Sequence, residues 1–183
     1  MPNFNIVSLI TGFVLFLIIA IISFYFVIDL SLKLNKLKKF KSTIYYKNKV
    51  LILLFILNFL FLNLLIIIAN IITFILSIIY INIYNFIPLI FTIFYVSYIL
   101  YILCLILLLY KYNESLYIII YEDNLITINN VIKKKEILNI DNDLKRKKLF
   151  LTHFDDGAKT TIKFKYDYKL KDFLNNFIIL EKN

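Results

Sequence analysis

Few residues in this chain are suited to acid–base or metal chemistry. His153 is the only histidine and Cys104 the only cysteine, so a histidine-based triad or a metal site would lack partners within the chain. We expect His153 to be a half-exposed strand residue. Asp155 and Asp156 are adjacent carboxylates, but they precede a glycine in a turn pattern where aspartate is common for backbone reasons. The residues therefore predict no catalytic site, no metal and no cofactor, and we expect a protein that is not an enzyme.

Polar residues recur at helical spacing inside long apolar runs. Asn63, Asn70 and Ser77 are each seven residues apart, and Tyr95 and Tyr98 are three apart in a later run. Side-chain amides and hydroxyls in hydrocarbon need hydrogen-bond partners, so we expect these five residues to make interhelical polar contacts. The alternative interpretation is a polar path for a solute, in a subunit of a transporter or channel complex.

Basic residues are clustered, and they supply the second class of candidate site. The segment from 33 to 49 has seven lysines and no acid, and the tail has a second cluster at 145–148. These clusters predict contact with anionic lipid headgroups or a protein partner, or else solvated strand ends that prevent edge pairing. The candidate contact residues are Lys33, Lys36, Lys38, Lys39, Lys41, Lys145, Arg146, Lys147 and Lys148.

The elements that carry these residues begin with three apolar runs of membrane-spanning length. The chain is 61% hydrophobic, well above the roughly 45–50% of a soluble domain. About 20 apolar residues cross a bilayer core. We therefore predict a transmembrane region over residues 1–112, with helices at about 4–30, 50–80 and 87–110 and a lysine-rich loop at 31–49.

The uneven charge of the chain predicts its orientation in the membrane. The net charge of +9 comes mainly from the lysine-rich loop, while the residues before the first span and between the second and third spans carry no lysine or arginine. The positive-inside rule then puts the loop and the C-terminal segment in the cytoplasm and the N-terminus outside. A basic excess that lies mainly in one loop also argues against a nucleic-acid-binding protein.

Residues 113–183 change to alternating patterns and turn signals, which predict a small antiparallel sheet. In 160–166 the apolar Ile162 and Phe164 alternate with Lys163 and Lys165. A closing helix is predicted from Asp167, a suitable N-cap, and from the apolar stripe at Leu170, Phe173, Leu174, Phe177 and Ile178. The predicted fold class is a three-helix membrane anchor plus a small α+β C-terminal domain whose sheet is covered by one helix.

The order of elements from Tyr117 to Phe177 resembles small bacterial membrane proteins with a cytosolic pleckstrin-homology-like domain, of the YcxB or EbsA kind. The features that carry the resemblance are the Glu136-Ile137-x-x-Ile140 segment, the hairpin after it, and the closing helix Lys169-x-x-Asp172-Phe173-x-x-x-Phe177. The resemblance covers about a third of the chain and implies a binding or regulatory module without a catalytic signature.

Taken together, these observations predict a non-enzymatic, multi-pass protein of the cell membrane. Its cytosolic domain is expected to bind a protein partner or anionic lipid headgroups, and the chain could also form a homo-oligomer. The alternative is the transporter or channel subunit, with helices packed through the asparagine and tyrosine stripe.

Overall fold

A computed structural model describes residues 5–40, 44–81, 83, 86–155 and 157–179. The chain divides into two compact units. We call residues 1–30 and 53–109 the helical unit, and residues 31–52 and 110–183 the sheet unit. Each unit is built from two stretches of the chain that are distant in sequence.

In the part of the chain that the structure describes, three helices are long and apolar enough to cross a membrane, as the three apolar runs predicted. The first is α1, and the second consists of α2, a π-helical segment and α3, which follow one another without a break. The third is α4, which a short 3₁₀ turn extends to Ser115. Their bounds are Ile6–Lys39 for α1, Lys49–Ile56 for α2, Leu57–Leu62 for the π-helical segment, Asn63–Ile79 for α3 and Phe86–Tyr112 for α4.

The helical unit is held together by small residues and stacked aromatic rings. Phe13 of α1 and Phe74 of α3 stack with ring centroids 3.9 Å apart. Gly12 of α1 faces the ring of Tyr95 so closely that an added Cβ would lie 2.9 Å from the Tyr95 Cε1 atom. A larger residue here would force the Tyr95 ring to shift, and small residues of this kind let helices approach closely in membrane bundles.

The described residues of the sheet unit form seven strands in two antiparallel sheets, followed by one helix, α5. The four-stranded sheet has the order β1-β2-β3-β4 and the three-stranded sheet the order β5-β6-β7. This confirms the predicted antiparallel sheet and closing helix. The bounds are Ile44–Lys47, Tyr117–Tyr121, Asn124–Ile126, Val131–Lys133, Ile137–Asp143, Lys148–Asp155 and Ala158–Lys165 for β1 to β7, and Tyr168–Ile179 for α5.

The segment 31–49 differs from the predicted loop. α1 continues to Lys39 instead of ending near residue 30, because 31–39 contains only residues compatible with a helix and no glycine or proline. After it, β1 pairs with β2, with Ile44 opposite Ile120 and Lys47 opposite Tyr117. The first strand of the sheet therefore comes from between the first two spans, and the compact unit is larger than the predicted 113–183.

Alternating side chains of β2 belong to two separate hydrophobic cores in the sheet unit. Ile118 belongs to a cluster with strands of both sheets and with Leu170, Leu174 and Phe177 of α5. Its neighbours Tyr117 and Ile119 belong to a second cluster with Leu37 near the end of α1 and with Ile126 of β3. Because successive strand residues point to opposite faces, the four-stranded sheet is covered on both sides.

Candidate functional site

A groove of about 590 Å³ opens on the sheet unit beside the end of α4. Its lining comes from residues 110–114, the turn at 129–130, Lys148 and the β7 residues 161–165. Residues 110–112 form the last turn of α4, a helix long and apolar enough to cross a membrane. The end of this helix therefore forms part of the wall of the groove.

The lining of the groove is strongly cationic. It includes Lys111, Lys148, Lys163 and Lys165, against the single carboxylate of Glu114. Because side chains alternate along β7, Lys163 and Lys165 are exposed, while Phe164 between them is buried in the core. We call this feature the lysine groove.

The ring of Tyr112 makes cation–π contacts with two of these lysines. The Lys111 Nζ atom lies 5.1 Å from the centroid of the Tyr112 ring, and the Lys165 Nζ atom lies 5.7 Å from it. Cations over an aromatic face are attracted by the ring quadrupole. The two ammonium groups are thereby held at the groove although they are 54 positions apart in the chain.

Hydrogen bonds fix the floor of the lysine groove. The Lys165 amide donates to the Ser115 Oγ atom over 2.7 Å, which joins β7 to the last residue of the 3₁₀ turn that follows α4. The Asn129 side-chain amide donates to the Glu114 Oε1 atom over 2.8 Å. Within the described part of the chain the buried Glu114 Oε2 atom has no hydrogen-bond partner. The four lysines of the lining outnumber this single carboxylate, so the net positive charge of the groove favours an anion.

The predicted cluster at 145–148 lies next to this groove. Lys145, Arg146 and Lys147 are exposed in the turn between β5 and β6, which we call the basic turn (residues 144–147). The Arg146 Nε atom lies 3.7 Å from a carboxylate oxygen of Asp143. Of the four predicted residues, only Lys148 lines the lysine groove.

The described lysines of 33–39 do not line the groove. Lys36, Lys38 and Lys39 are exposed on the last turns of α1, and Lys33 is partly buried there. Lys41 lies outside the described residues. These lysines therefore extend the basic character of the sheet unit without joining the groove lining.

In the helical unit, three polar residues from three spans form one hydrogen-bond chain. The Tyr98 hydroxyl of α4 donates to the Asn63 Oδ1 atom of α3 over 2.9 Å. The Asn63 amide donates to the Ser23 Oγ atom of α1 over 3.0 Å, and Ser23 in turn donates to the Ala20 carbonyl oxygen. All three linking side chains are buried. The chain ends on a backbone acceptor, so it specifies how the three helices pack.

The other predicted stripe residues have different surroundings. Ser77 donates within α3, to the Thr73 carbonyl oxygen, and its Oγ atom is also 3.2 Å from the Ile87 carbonyl oxygen of α4. Asn70 donates to a carbonyl oxygen of its own helix, and its buried Oδ1 atom has no partner among the described residues. Tyr95 packs against Gly12.

Of the residues considered for catalysis, Asp156 lies outside the described residues, and His153, Cys104 and Asp155 belong to no metal-binding group in the described part. His153 is 7% exposed, so the prediction of a half-exposed residue is wrong. Its Nε2 atom lies 3.0 Å from the Thr160 Oγ1 atom on the adjacent strand β7, which explains how the ring is accommodated in the sheet. In the described part of the chain no group of three histidine, cysteine, aspartate or glutamate residues could hold a metal ion.

Sequence reasoning missed Lys111, Tyr112 and Ser23 as members of these two sites. Lys163 and Lys165 carried a usable signal, because their alternation with apolar residues predicted an exposed lysine face. Their combination with Lys111 could not be read from the chain, since it depends on a contact between residues about fifty positions apart.

Comparisons with known proteins do not assign a function to the lysine groove or to the buried hydrogen-bond chain. Neither a scan of protein-family models nor searches of curated proteins and solved structures finds a match to this chain. The function must therefore be inferred from the chemistry of the residues themselves.

Proposed function

We propose that this protein is a non-enzymatic, multi-pass membrane protein whose sheet unit binds anionic lipid headgroups in the lysine groove. The observation that carries the proposal is that four lysines line one groove whose wall is the last turn of a membrane-spanning helix. A lipid phosphate is the anion available at that position. Near a membrane surface each basic residue contributes about 1 kcal/mol to the attraction.

The charge distribution supports a cytoplasmic position for the sheet unit. Seven lysines lie in the segment 33–49, and no lysine or arginine lies between residues 50 and 110. The positive-inside rule then orients the N-terminus outside and the sheet unit in the cytoplasm. The cytoplasmic leaflet is also the one that carries the anionic lipids.

The order of elements in the sheet unit supports a pleckstrin-homology-like module. Four antiparallel strands are followed by three more and then by one helix that packs on the core. With β1 supplied by the segment between the first two spans, two antiparallel sheets precede the helix, and this arrangement supports the proposal. A module of this kind binds a ligand or a partner and catalyses no reaction.

The proposal is tested by hydrogen exchange of the full-length protein in nanodiscs. We expect amides of β7 and of residues 110–115 to be better protected in a mixture of phosphatidylcholine and phosphatidylglycerol than in phosphatidylcholine alone. Replacing two groove lysines in Lys163→Gln/Lys165→Gln removes about 2 kcal/mol, which corresponds to roughly thirtyfold weaker binding. The lipid-dependent protection should then disappear.

A charge-matched control separates the groove from general basicity. Lys159→Gln/Lys169→Gln removes two exposed lysines of the same unit that do not line the groove, so it should keep the protection. Equal protection in both lipid mixtures would exclude the headgroup proposal and favour a protein partner.

A second candidate function is a subunit of a transporter or channel. One observation favours it: the buried Oδ1 atom of Asn70, inside a span, has no partner among the described residues. The variants Asn63→Leu and Asn70→Leu discriminate between the two roles. Loss of solute flux with assembly intact supports a pathway, whereas loss of assembly supports helix packing.

A further inference from the structure

We propose that the basic turn is a membrane-insertion tip, in which Leu144 enters the interfacial layer of the bilayer and the flanking basic residues contact lipid phosphates. This inference rests on the proposed function, because it requires the lysine groove to face the anionic bilayer. It adds an apolar anchor to a site that is otherwise electrostatic.

The composition of the basic turn is that of an interfacial anchor. Leu144 is 63% exposed, and the three residues after it are basic and exposed. A single exposed apolar side chain is ordinary on a protein surface, so the distinguishing feature of this turn is the run of three basic residues that follows the leucine. Long basic side chains around it can keep their charged ends at headgroup level while their stems lie along apolar surface.

Local hydrogen bonds hold the basic turn in one shape. The Arg146 amide donates to the Asp143 Oδ1 atom over 3.0 Å, and the Lys147 amide donates to the Leu144 carbonyl oxygen. Lys147 has a φ of 50°, in the left-handed region. Because the turn is already ordered, little conformational entropy would be lost when it docks.

The basic turn and the lysine groove lie at the same end of the three-stranded sheet. Lys148, the first residue after the turn, lines the groove and pairs with Lys165. The Tyr166 amide donates to the Lys147 carbonyl oxygen over 2.9 Å, which ties the turn to the end of β7. The same groove is lined by Tyr110 and Lys111 of the third span. The turn is therefore next to the point where the chain leaves the bilayer.

The charge of the basic turn favours a bilayer over a protein as the occupant. Among the described residues, Arg146 is the one basic residue of the turn with an ion pair, to Asp143, and the adjoining groove is cationic. An anionic bilayer offers phosphates at one depth and hydrocarbon immediately below, which matches basic side chains around one leucine. The opposite end of β6 provides a contrast, because the exposed Phe154 there is followed by the acidic Asp155.

The test places an environment-sensitive nitrobenzoxadiazole label at each end of β6 in the full chain. The background is Cys104→Ser, since Cys104 is the only cysteine, and the labelled variants are Leu144→Cys and Phe154→Cys. Phe154 is the matched control: it is an exposed apolar residue roughly 20 Å along the strand from Lys148. In nanodiscs with phosphatidylglycerol we expect a blue-shifted emission and quenching by nitroxide-labelled lipid for the label at position 144 only.

The outcomes separate this inference from the proposed function. If β7 shows lipid-dependent protection while the label at position 144 keeps its aqueous emission, the insertion tip is wrong and headgroup binding stands. If neither signal depends on lipid charge, both proposals fail. Independently, Leu144→Ser should weaken the phosphatidylglycerol dependence of β7 protection about tenfold through the lost apolar burial. An unchanged dependence would overturn the insertion tip.

Discussion

Replacing Asp167 should release the first strand of the sheet unit from its closing helix. One carboxylate oxygen of Asp167 accepts a hydrogen bond from the Lys169 amide over 3.0 Å, which caps α5. The other accepts a hydrogen bond from the Tyr46 hydroxyl of β1 over 2.7 Å. The side chain of Tyr46 is only 6% exposed. A single carboxylate therefore joins residues 121 positions apart in the chain.

The expected magnitude follows from these two hydrogen bonds. Loss of an N-cap costs about 1 kcal/mol, and a buried hydroxyl left without its partner costs about 1–3 kcal/mol. We expect Asp167→Ala to lower the free energy of opening of β1 by about 2–4 kcal/mol. Tyr46→Phe removes the hydroxyl as well as the bond, and the partly exposed Asp167 can return to water, so the loss should be nearer to about 1 kcal/mol.

Native-state hydrogen exchange in nanodiscs measures this effect, because exchange rates report local opening free energies. Peptides that cover β1 and the first turn of α5 should exchange faster in Asp167→Ala. Asp172→Ala is the matched control, since it removes a carboxylate of the same helix that takes part in neither hydrogen bond. If both variants exchange alike at β1, the reasoning about the Asp167 link is refuted.

Three further predictions concern pH and the helical unit. Burial, together with the hydrogen bond to its aspartate partner, raises the pKa of the Tyr46 hydroxyl above its ordinary value of about 10. The Tyr46 hydroxyl therefore contributes fully to the stability of the folded state below pH about 10, and this contribution is lost as the pH rises through the pKa of the folded state. Alkaline unfolding monitored by circular dichroism should show this pH-dependent loss in the wild-type chain but not in Tyr46→Phe. Asn63→Leu leaves the buried Tyr98 hydroxyl without its acceptor, so unfolding in mixed micelles should show a loss of about 1–3 kcal/mol, and an unchanged midpoint would contradict it. Gly12→Leu should cost about 1–3 kcal/mol by overpacking against Tyr95; the same unfolding assay would refute the close approach if the variant were neutral.

The large elements were predictable from the sequence because hydropathy and alternation are local properties. The long apolar runs predicted three helices, and the residues after 113 predicted an antiparallel sheet with a helix behind it. Asp167 was identified as the N-cap of that helix from its residue type and position, and its contact with the Lys169 amide confirms this. In each case the signal lies within a few residues of the feature it predicts.

The first strand was not predictable in the same way. β1 has only four residues, stands among lysines, and pairs with β2 about 70 positions later. The many lysines in this segment predicted a loop between two spans, although Ile44, Tyr45 and Tyr46 have a high strand propensity. The domain boundary of 113–183 missed the same strand, since a boundary drawn along the sequence cannot include a segment from before the second span.

The candidate sites depend on contacts between residues distant in sequence, which the spacing of residues along the chain does not predict. The spacing of Asn63 and Tyr98 indicated that each needs a partner, but the spacing does not specify which residue faces which. Ser23 completes that chain and has no distinguishing pattern of its own. For the lysine groove, clustering in sequence pointed to 145–148, whereas clustering in space adds Lys163 and Lys165 through the β6–β7 pairing.

Native mass spectrometry of the intact protein tests the central claim most directly. The protein is released from nanodiscs that contain phosphatidylcholine and phosphatidylglycerol, and the retained lipids are counted. The account predicts preferential retention of phosphatidylglycerol by the wild-type chain and by Lys159→Gln/Lys169→Gln, with the preference lost in Lys163→Gln/Lys165→Gln. The same lipid ratio in all three proteins would contradict headgroup binding in the lysine groove.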